Sequence, residues 1–273
     1  MNKKKVIITG HDLGFSRSIN EGFGYALKKL PKVFSELSIL PNSKYSNEAV
    51  NIAKDSGIPT NLCFCLTNSK MVSLSKSPSL TGPNGLMYNA DTINWDFSII
   101  DKFDQKEIEN EISAQYEWFI KSFGHKPSAL VSQKGEHGDP KVLEPIIKLA
   151  KEEKIPMRAP MWKWKSNYGA QSLVESEGIK TTNNIFMAIK DWRGNFGYDL
   201  ETEIEKLISD VKNSEGISEI LFLAGFCDQE LFDLTSISWQ RGQLLNILKR
   251  KYFLIERLYS EFEVISFGDL MLE

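Results

Sequence analysis

The sequence predicts a single α/β domain, residues 1–273, built on a parallel sheet that is either open or closed into a barrel. Short apolar runs alternate with segments of helical spacing, which is typical of consecutive β-α units. Hydrophobic residues make up 41% of the 273 positions, enough for one continuous core. Neither a repeat nor a low-complexity linker divides the chain, so we expect one domain.

Apolar runs in the first half of the chain predict three strands: Val6–Thr9, Val33–Leu40 and Asn61–Leu66. Apolar residues at every third or fourth position predict three helices: Ser16–Lys29, Ser46–Asp55 and Gln105–Ser122. Ser16 (or Ser18) and Ser46 are suited to cap helix N-termini, and Gly124 is a typical helix end.

The same alternation continues in the second half. The predicted strands are Ala129–Ser132, Met157–Ala159, Glu219–Phe222 and Glu263–Phe267. The predicted helices are Pro140–Glu153, Leu200–Lys212 and Ser238–Ser260. Pro140 suits the first turn of its helix, where a missing backbone N–H costs nothing, and Asp139 is the expected cap.

The composition excludes several classes of partner. The formal net charge is −3, so the basic excess that nucleic-acid binding needs is absent. No apolar run approaches the roughly 20 residues of a transmembrane helix, and we expect no membrane partner. Three cysteines, an odd number, argue against a disulfide framework and favour the cytoplasm.

Polar side chains follow predicted strands at their carboxyl ends, where parallel α/β proteins carry their sites. His11 and Asp12 follow the first strand, and Lys134, Glu136 and His137 follow the fourth. We expect Asp12 to act as a base or to bind a ligand hydroxyl, with His11 titrating near neutral pH as proton carrier. Glu136 or His137 is the second candidate for proton transfer, beside the positive charge of Lys134. The alternative is that these residues only cap turns, pack in the core or face solvent.

Two further residues are candidates for ligand binding. Arg158 follows the fifth predicted strand, and its planar guanidinium suits bidentate contacts. Trp162 and Trp164 alternate with lysines and are suited to stack on a ligand ring, although tryptophan is also a common core residue. We assign Trp162 to the ligand.

The third predicted strand places Cys63 and Cys65 on one face. Cys63 has the chemistry to join His11 and Asp12 as a zinc ligand. A free cysteine is more often a small buried apolar residue, and we favour that interpretation.

Several segments, in this order, resemble the YdjC family of carbohydrate deacetylases over nearly the whole chain: "VIITGHDLGFSRSINEGFG", "SELSILPNSKYSNEAVNIA", "NLCFCLT", "EIENEISAQYEWFIKSFGHKPSAL", "HGDPKVLEPIIKLAKEEKIPMRAP" and "SWQRGQLLNIL". The resemblance implies a barrel of the polysaccharide and carbohydrate deacetylase type. It also implies removal of acetyl from an N-acetylated amino sugar with the help of a divalent cation, Zn²⁺ or Mg²⁺. The expected partner is a small carbohydrate or amino sugar, and a homodimer is compatible with it.

The resemblance also allows the family's site to be compared residue by residue. Asp12 matches the metal-binding aspartate, and His137 matches the last histidine after the fourth strand. Arg158 and Arg241 match two arginines, so Arg241 is expected in the substrate site. The other family positions hold different residues: His11 replaces an aspartate, and Cys63, Gln133, Gly135 and Leu223 replace histidines.

We therefore predict a sugar-directed hydrolase with its usual metal site degraded and with acid–base chemistry carried by side chains. No metal is expected at the family positions. Three other hypotheses are a non-catalytic sugar-binding pseudoenzyme, a metal-free glycoside hydrolase, and a metal-dependent deacetylase with a site rebuilt from His11, Asp12 and Cys63.

Overall fold

The computed structural model describes residues 3–68, 70–73, 76–89, 97–160, 169–189 and 199–272. Its strands are β1 (Lys5–Leu13), β2 (Glu36–Ile39), β3 (Thr60–Phe64), β4 (Leu130–Ser132), β5 (Asn184–Met187), β6 (Ser218–Phe222) and β7 (Glu263–Ile265). Its α-helices are α1 (Arg17–Lys29), α2 (Ser46–Ser56), α3 (Gln105–Phe123), α4 (Pro140–Glu153), α5 (Ala170–Ser176), α6 (Leu200–Asn213), α7 (Gln229–Leu234), α8 (Trp239–Arg250) and α9 (Phe253–Glu261). None of these described helices is both long and apolar enough to cross a bilayer.

The strands pair in parallel in the spatial order β4-β3-β2-β1-β6-β5. The last strand, β7, pairs with the amino-terminal half of β1 at Lys5–Ile7. Beyond β4, isolated parallel bridges run from Leu130 to Met157 and from Met157 to Thr181, toward β5. The sheet therefore curls toward closure, with helices packed against it, and the predicted α/β barrel-like fold is confirmed.

The carboxyl end of β1 is irregular in a way that matters for the site. Its register against β2 shifts between Gly10 and Leu13. Within that stretch, Asp12 has left-handed backbone with φ = 75°. Gly14 also has positive φ, 96°, and a Cβ there would lie 3.1 Å from the carbonyl oxygen of Leu40. Bulges of this kind redirect side chains beside functional sites, and this one leaves Asp12 at the mouth of the sheet.

Two predicted helix caps are confirmed. The Ser16 hydroxyl accepts a hydrogen bond from the Ile19 backbone N–H at 3.2 Å. The Asp139 carboxylate accepts one from Lys141 N–H at 2.9 Å. Ser46, by contrast, is the first residue of α2 rather than its cap, and its hydroxyl accepts a hydrogen bond from the Ser43 backbone N–H at 3.0 Å.

Other elements differ from the prediction. Of the predicted strand Met157–Ala159, only Met157 forms bridges. The predicted helix Ser238–Ser260 is two helices, because Lys251 leaves helical dihedral angles with φ −119° and ψ 50°. Apolar spacing continues across that break, so the period by itself could not reveal it. The short elements α5 and β5 were not predicted, since seven and four residues carry little periodic signal.

Candidate active site

A pocket opens at the carboxyl ends of the strands, where the sequence predicted a site. It is lined by His11, Asp12, Phe15, Ser132, Gln133, Lys134, Gly135, Arg158, Ile185, Met187, Leu221, Leu223, Thr235, Ile237 and Arg241. The polar groups therefore come from β1, from the loops after β4 and Met157, and from α8. The apolar walls come from β5, β6 and the segment before α8.

Asp12 is the centre of the polar cluster. Its Oδ2 accepts a hydrogen bond from Arg241 Nη2 at 2.5 Å, and its Oδ1 accepts one from Gln133 Nε2 at 3.3 Å. His11 Nε2 lies 3.5 Å from the same Oδ1. Arg241 is held in turn by the bond from its Nε to the Ile237 carbonyl oxygen at 3.0 Å. The carboxylate is thus fixed by a buried cation and two neutral groups.

The charges of this cluster follow from burial and from these partners. Burial alone would raise the pKa of Asp12, but His11, Arg241 and the Gln133 hydrogen bond lower it to about 2. Burial lowers the pKa of His11 to about 3. Arg158 and Arg241 also lower this pKa, whereas the negative charge of Asp12 raises it. His11 is therefore neutral at neutral pH. The expectation that it titrates near neutrality was wrong, because sequence proximity to Asp12 does not show how deeply the ring is buried.

Two buried polar atoms of this cluster lack a hydrogen-bond partner among the described residues. They are His11 Nδ1 and Arg241 Nη1. An unsatisfied buried group costs roughly 1–3 kcal/mol. Buried side chains elsewhere, such as Ser38 and Asn61, also carry one, so these two are distinguished by their place in the pocket lining. One is a ring nitrogen able to accept a proton and the other a cationic donor, and both residues line the pocket.

Arg158 lines the same pocket, and its guanidinium is already paired. Its Nε and Nη2 donate to the two carboxylate oxygens of Glu219 at 2.7 and 2.8 Å. Thr9 donates to Glu219 Oε1 at 2.6 Å. Glu219, on β6, is fully buried and was missed in the sequence analysis. The available signal was a charged residue within the apolar run of a predicted strand.

Glu136 and His137 lie behind the pocket rather than in its lining. Glu136 accepts hydrogen bonds from the Leu66 backbone N–H at 2.8 Å and from the Thr67 hydroxyl, and burial raises its pKa to about 7. His137 Nδ1 lies 2.5 Å from the Ser132 hydroxyl, and its Nε2 lies 3.3 Å from the Arg158 carbonyl oxygen. These contacts use both side chains to hold the loops around the pocket.

Lys134 is the member of this loop that reaches the pocket. Its backbone is left-handed, with φ = 53°, as is that of Gly135 at 69°. Its Nζ lies 2.9 Å from the side-chain amide of Asn68, whose oxygen faces the ammonium in the orientation that satisfies both groups. Trp162, predicted to stack on the ligand, lies outside the described residues.

The donor set for a metal can be tested against these contacts. His11, Asp12 and Cys63 bring a nitrogen, an oxygen and a sulfur within 4.8 Å of one another, a set that zinc accepts. However, Arg241 and Gln133 already occupy the Asp12 oxygens. Burial and the nearby Asp12 also raise the pKa of the Cys63 thiol well above its usual value. In this arrangement the residues do not fit a metal ion, because the Arg241 guanidinium is already bound to the Asp12 carboxylate that a metal ion would need.

The chain is similar to known proteins over most of its length. The model of the YdjC-like protein family matches residues 5–256. A carbohydrate deacetylase of Clostridium beijerinckii is 24% identical over 268 residues, 97% of this chain and 100% of that relative. A carbohydrate deacetylase of Enterococcus faecalis is 30% identical over 165 residues, 58% of this chain and 59% of that relative.

A solved structure has the same fold. It is a protein of Enterococcus faecalis V583 with a proposed role in cellobiose-phosphate cleavage, and it superimposes with a TM-score of 0.82 at 23% identity. The match covers 98% of this chain and 99% of that one. The predicted family and fold are therefore confirmed.

Proposed function

Because this chain belongs to the YdjC-like protein family, we propose that it is a hydrolase that removes an acetyl group from an N-acetylated amino sugar. The two relatives described above are carbohydrate deacetylases, and the similarity covers 97% of this chain for one and 58% for the other. The observation that carries the proposal is the pair of unsatisfied buried atoms, His11 Nδ1 and Arg241 Nη1, beside the Asp12 carboxylate. Amide hydrolysis needs a proton acceptor and a positive group at the developing oxyanion.

In this proposal His11 is the general base. Its pKa of about 3 in the free protein makes it a weak one, so it accepts the proton only as the negative oxyanion develops beside it and raises that pKa. A neutral imidazole takes a proton from the attacking water as the oxygen bonds to the amide carbon. The ionised Asp12, with its Oδ1 3.5 Å from His11 Nε2, stabilises the imidazolium that forms. The imidazolium then protonates the leaving amine as the C–N bond breaks, and acetate and a free amino sugar result.

Arg241 supplies the positive charge in this reaction. Its Nη2 binds Asp12, so the orientation of the guanidinium is fixed before substrate arrives. The remaining Nη1 donates to the tetrahedral oxyanion, as preorganised donors do in other acyl-transfer sites. Arg158 and Lys134 bind substrate hydroxyls around the reacting group. Glu136 and His137 support the loops, because their polar atoms are engaged by backbone and hydroxyl groups.

The proposal includes the loss of the family's usual metal chemistry. The support is the chemistry of the positions involved: an amide at Gln133, no side chain at Gly135, and an Asp12 carboxylate already bound by Arg241. The guanidinium bound to Asp12 supplies fixed positive charge without a metal ion. The cluster of His11, Asp12 and Cys63 favours a rebuilt zinc site as the second candidate.

The test is acetate release from N-acetylglucosamine-containing sugars by protein dialysed against a strong chelator, with its metal content measured. We expect turnover that survives chelation and does not rise when zinc is added. Turnover that requires one equivalent of zinc and disappears in Cys63→Ala would establish the rebuilt site instead. Sugar binding without any acetate release, with or without metal, would identify a pseudoenzyme.

A further inference from the structure

One side of the pocket is formed by a set of apolar side chains, here named the apolar wall. It consists of Ile185 and Met187 from β5, Leu221 and Leu223 from β6, and Ile237 from the segment before α8. The proposed hydrolysis uses the polar groups on the other side of the pocket, so the wall has no part in its proton transfers.

The sheet register aligns four of these side chains on one face. β5 and β6 pair in parallel, with Ile185 opposite Glu219 and Met187 opposite Leu221. Residues two apart on a strand point to the same face of a sheet. Since Ile185 is level with Glu219, and Leu223 lies four residues beyond Glu219, the wall extends along the strands for about 13 Å, at roughly 3.3 Å per residue.

The apolar wall adjoins the reacting groups directly. β1 pairs with β6 as far as Gly10. The two residues that follow this last pair are His11 and Leu223, and both line the pocket. The Ile237 carbonyl oxygen accepts the hydrogen bond from Arg241 Nε at 3.0 Å. An acyl carbon placed between His11 and Arg241 therefore has the wall beside it.

The apolar wall suits the acyl side of an amide rather than the sugar side. Leu221, Leu223 and Ile237 are 6%, 5% and 4% exposed, so they face the closed part of the pocket. A sugar carries hydroxyls, and burial of a hydroxyl without a hydrogen bond is unfavourable. An acyl chain carries only C–H groups beyond its carbonyl, and their burial is favourable. The acyl group thus faces the wall and the amino sugar faces the mouth.

An acetyl group is much shorter than the apolar wall. It ends in a single methyl, and apolar atoms are in contact only within about 4–4.5 Å of one another. A methyl therefore covers a small part of a wall that is about 13 Å long. Each further methylene that reaches the wall removes apolar surface from water, which favours binding about fourfold.

We propose that the apolar wall binds the acyl group of the substrate, and that this chain prefers acyl groups longer than acetyl, such as propionyl and butyryl. This rests on the proposed function and specifies the acyl group within it. The balance of the reaction is the same. The oxygen of water bonds to the acyl carbon, the C–N bond breaks, and the amine leaves with the proton from the imidazolium. The longer carboxylate is released in place of acetate.

The experiment measures kcat/KM for N-acetyl-, N-propionyl- and N-butyrylglucosamine. All three release glucosamine, so one assay of the free amine serves for the whole series. In the wild type we expect kcat/KM to rise about fourfold with each methylene, and thus about fifteenfold from acetyl to butyryl.

Two variants test whether the apolar wall is the source of this preference. Ile185→Phe shortens the wall with a larger side chain, and Met187→Ser replaces an apolar contact with a hydroxyl. Each should lower the ratio of kcat/KM for butyryl over acetyl by at least about threefold. The ratio is taken within one protein, so an incompletely folded preparation does not alter it.

The matched control is Phe186→Leu. Phe186 lies between the two wall residues on β5, but it is not part of the pocket lining. Strand alternation places its side chain on the other face of the sheet. Its ratio should therefore equal that of the wild type.

Each outcome decides a different point. A wild type that hydrolyses the acetyl sugar fastest, with propionyl and butyryl slower, would overturn the acyl-wall proposal and leave the proposed function standing. A wild-type preference for butyryl that persists in Ile185→Phe and Met187→Ser would also overturn it, since another surface would then bind the chain. Release of glucosamine from none of the three sugars would contradict the proposed function itself.

Discussion

Two buried carboxyl groups at opposite ends of the barrel-like sheet, Asp12 and Glu36, are held in opposite protonation states. Asp12 lies at the carboxyl end of β1, where Arg241 and its other neighbours lower its pKa to about 2. Glu36 begins β2 at the amino end, where burial raises its pKa to about 8. The two side chains are equally hidden from solvent, at 4% and 0% exposure.

The difference lies in the partners. Glu36 accepts hydrogen bonds from the Ser128 hydroxyl, from the Phe267 backbone N–H at 3.2 Å and from Asn61 Nδ2 at 3.4 Å. These donors are neutral, and they do not offset the desolvation of a charge. Nearby Glu219 disfavours ionisation further. A buried carboxyl at neutral pH is thus charged only where a cation is supplied with it.

The comparison separates the roles of the two ends. The neutral Glu36 joins the starts of β2, β3 and β4 to the end of the chain through hydrogen bonds. The charged Asp12 sits in a cluster with an unsatisfied base and an unsatisfied donor. At the amino end the Glu36 carboxyl itself has three hydrogen-bond donors and serves stability. At the carboxyl end His11 and Arg241 keep unused hydrogen-bonding capacity beside the pocket, which serves binding and chemistry.

Asp12→Asn tests the charged end and has the largest expected effect. The left-handed backbone at position 12 tolerates asparagine as well as aspartate, but Arg241 is left without its counter-charge. We expect kcat/KM for deacetylation to fall at least about a hundredfold, and stability to fall by about 3 kcal/mol. Assay and chemical denaturation measure the two effects, with the exposed Asp55→Asn as control. Unchanged activity and stability would reduce Asp12 to a turn residue.

Glu36→Gln tests the neutral end through the pH dependence of stability. The folded pKa of about 8 lies above the unfolded value of 4.5. The contribution of Glu36 is therefore complete below about pH 4.5 and is lost as pH rises through 8. We expect the stability of Glu36→Gln relative to wild type to increase by roughly 2–4 kcal/mol between pH 5 and pH 9. Parallel stability curves for the two proteins would show that Glu36 is ionised throughout.

Arg158→Lys tests a third buried carboxylate, that of Glu219, which is paired with the Arg158 guanidinium. Lysine cannot reproduce the two parallel bonds to Glu219. We expect stability to fall by about 1–2 kcal/mol and sugar affinity to fall about tenfold. Calorimetry and thermal melting distinguish the two. A loss of stability with unchanged affinity would assign Arg158 to the structure alone.

Cys63→Ala has the smallest expected effect and asks whether the charged end depends on its thiol. Cys63 is fully buried near His11 and Asp12. Removal of the sulfur should cost about 1 kcal/mol of stability through a small cavity and change kcat/KM by less than about twofold. If this variant lost both bound zinc and activity, the positive charge in the reaction would come from a metal ion rather than from Arg241.

Local signals in the sequence were enough to predict the fold class and the position of the site. Alternating apolar runs and helical spacing identify β-α units because each element buries one face with its own period. Ser16 and Asp139 cap their helices as predicted, since a cap bonds to groups two or three residues away. His11, Asp12, Lys134 and Arg158 were expected at strand ends, and all four line one pocket.

The chemistry of those residues was decided by the tertiary structure. Arg241 is 229 positions from Asp12, and Arg158 is 61 positions from Glu219, so no local pattern pairs them. The family resemblance placed Arg241 in the site but did not show which carboxylate it binds. His11 looked like a group that titrates near neutrality, and burial beside two arginines removed that property. A pKa depends on the solvent and charge that long-range packing brings to a side chain, and a run of neighbouring residues contains neither.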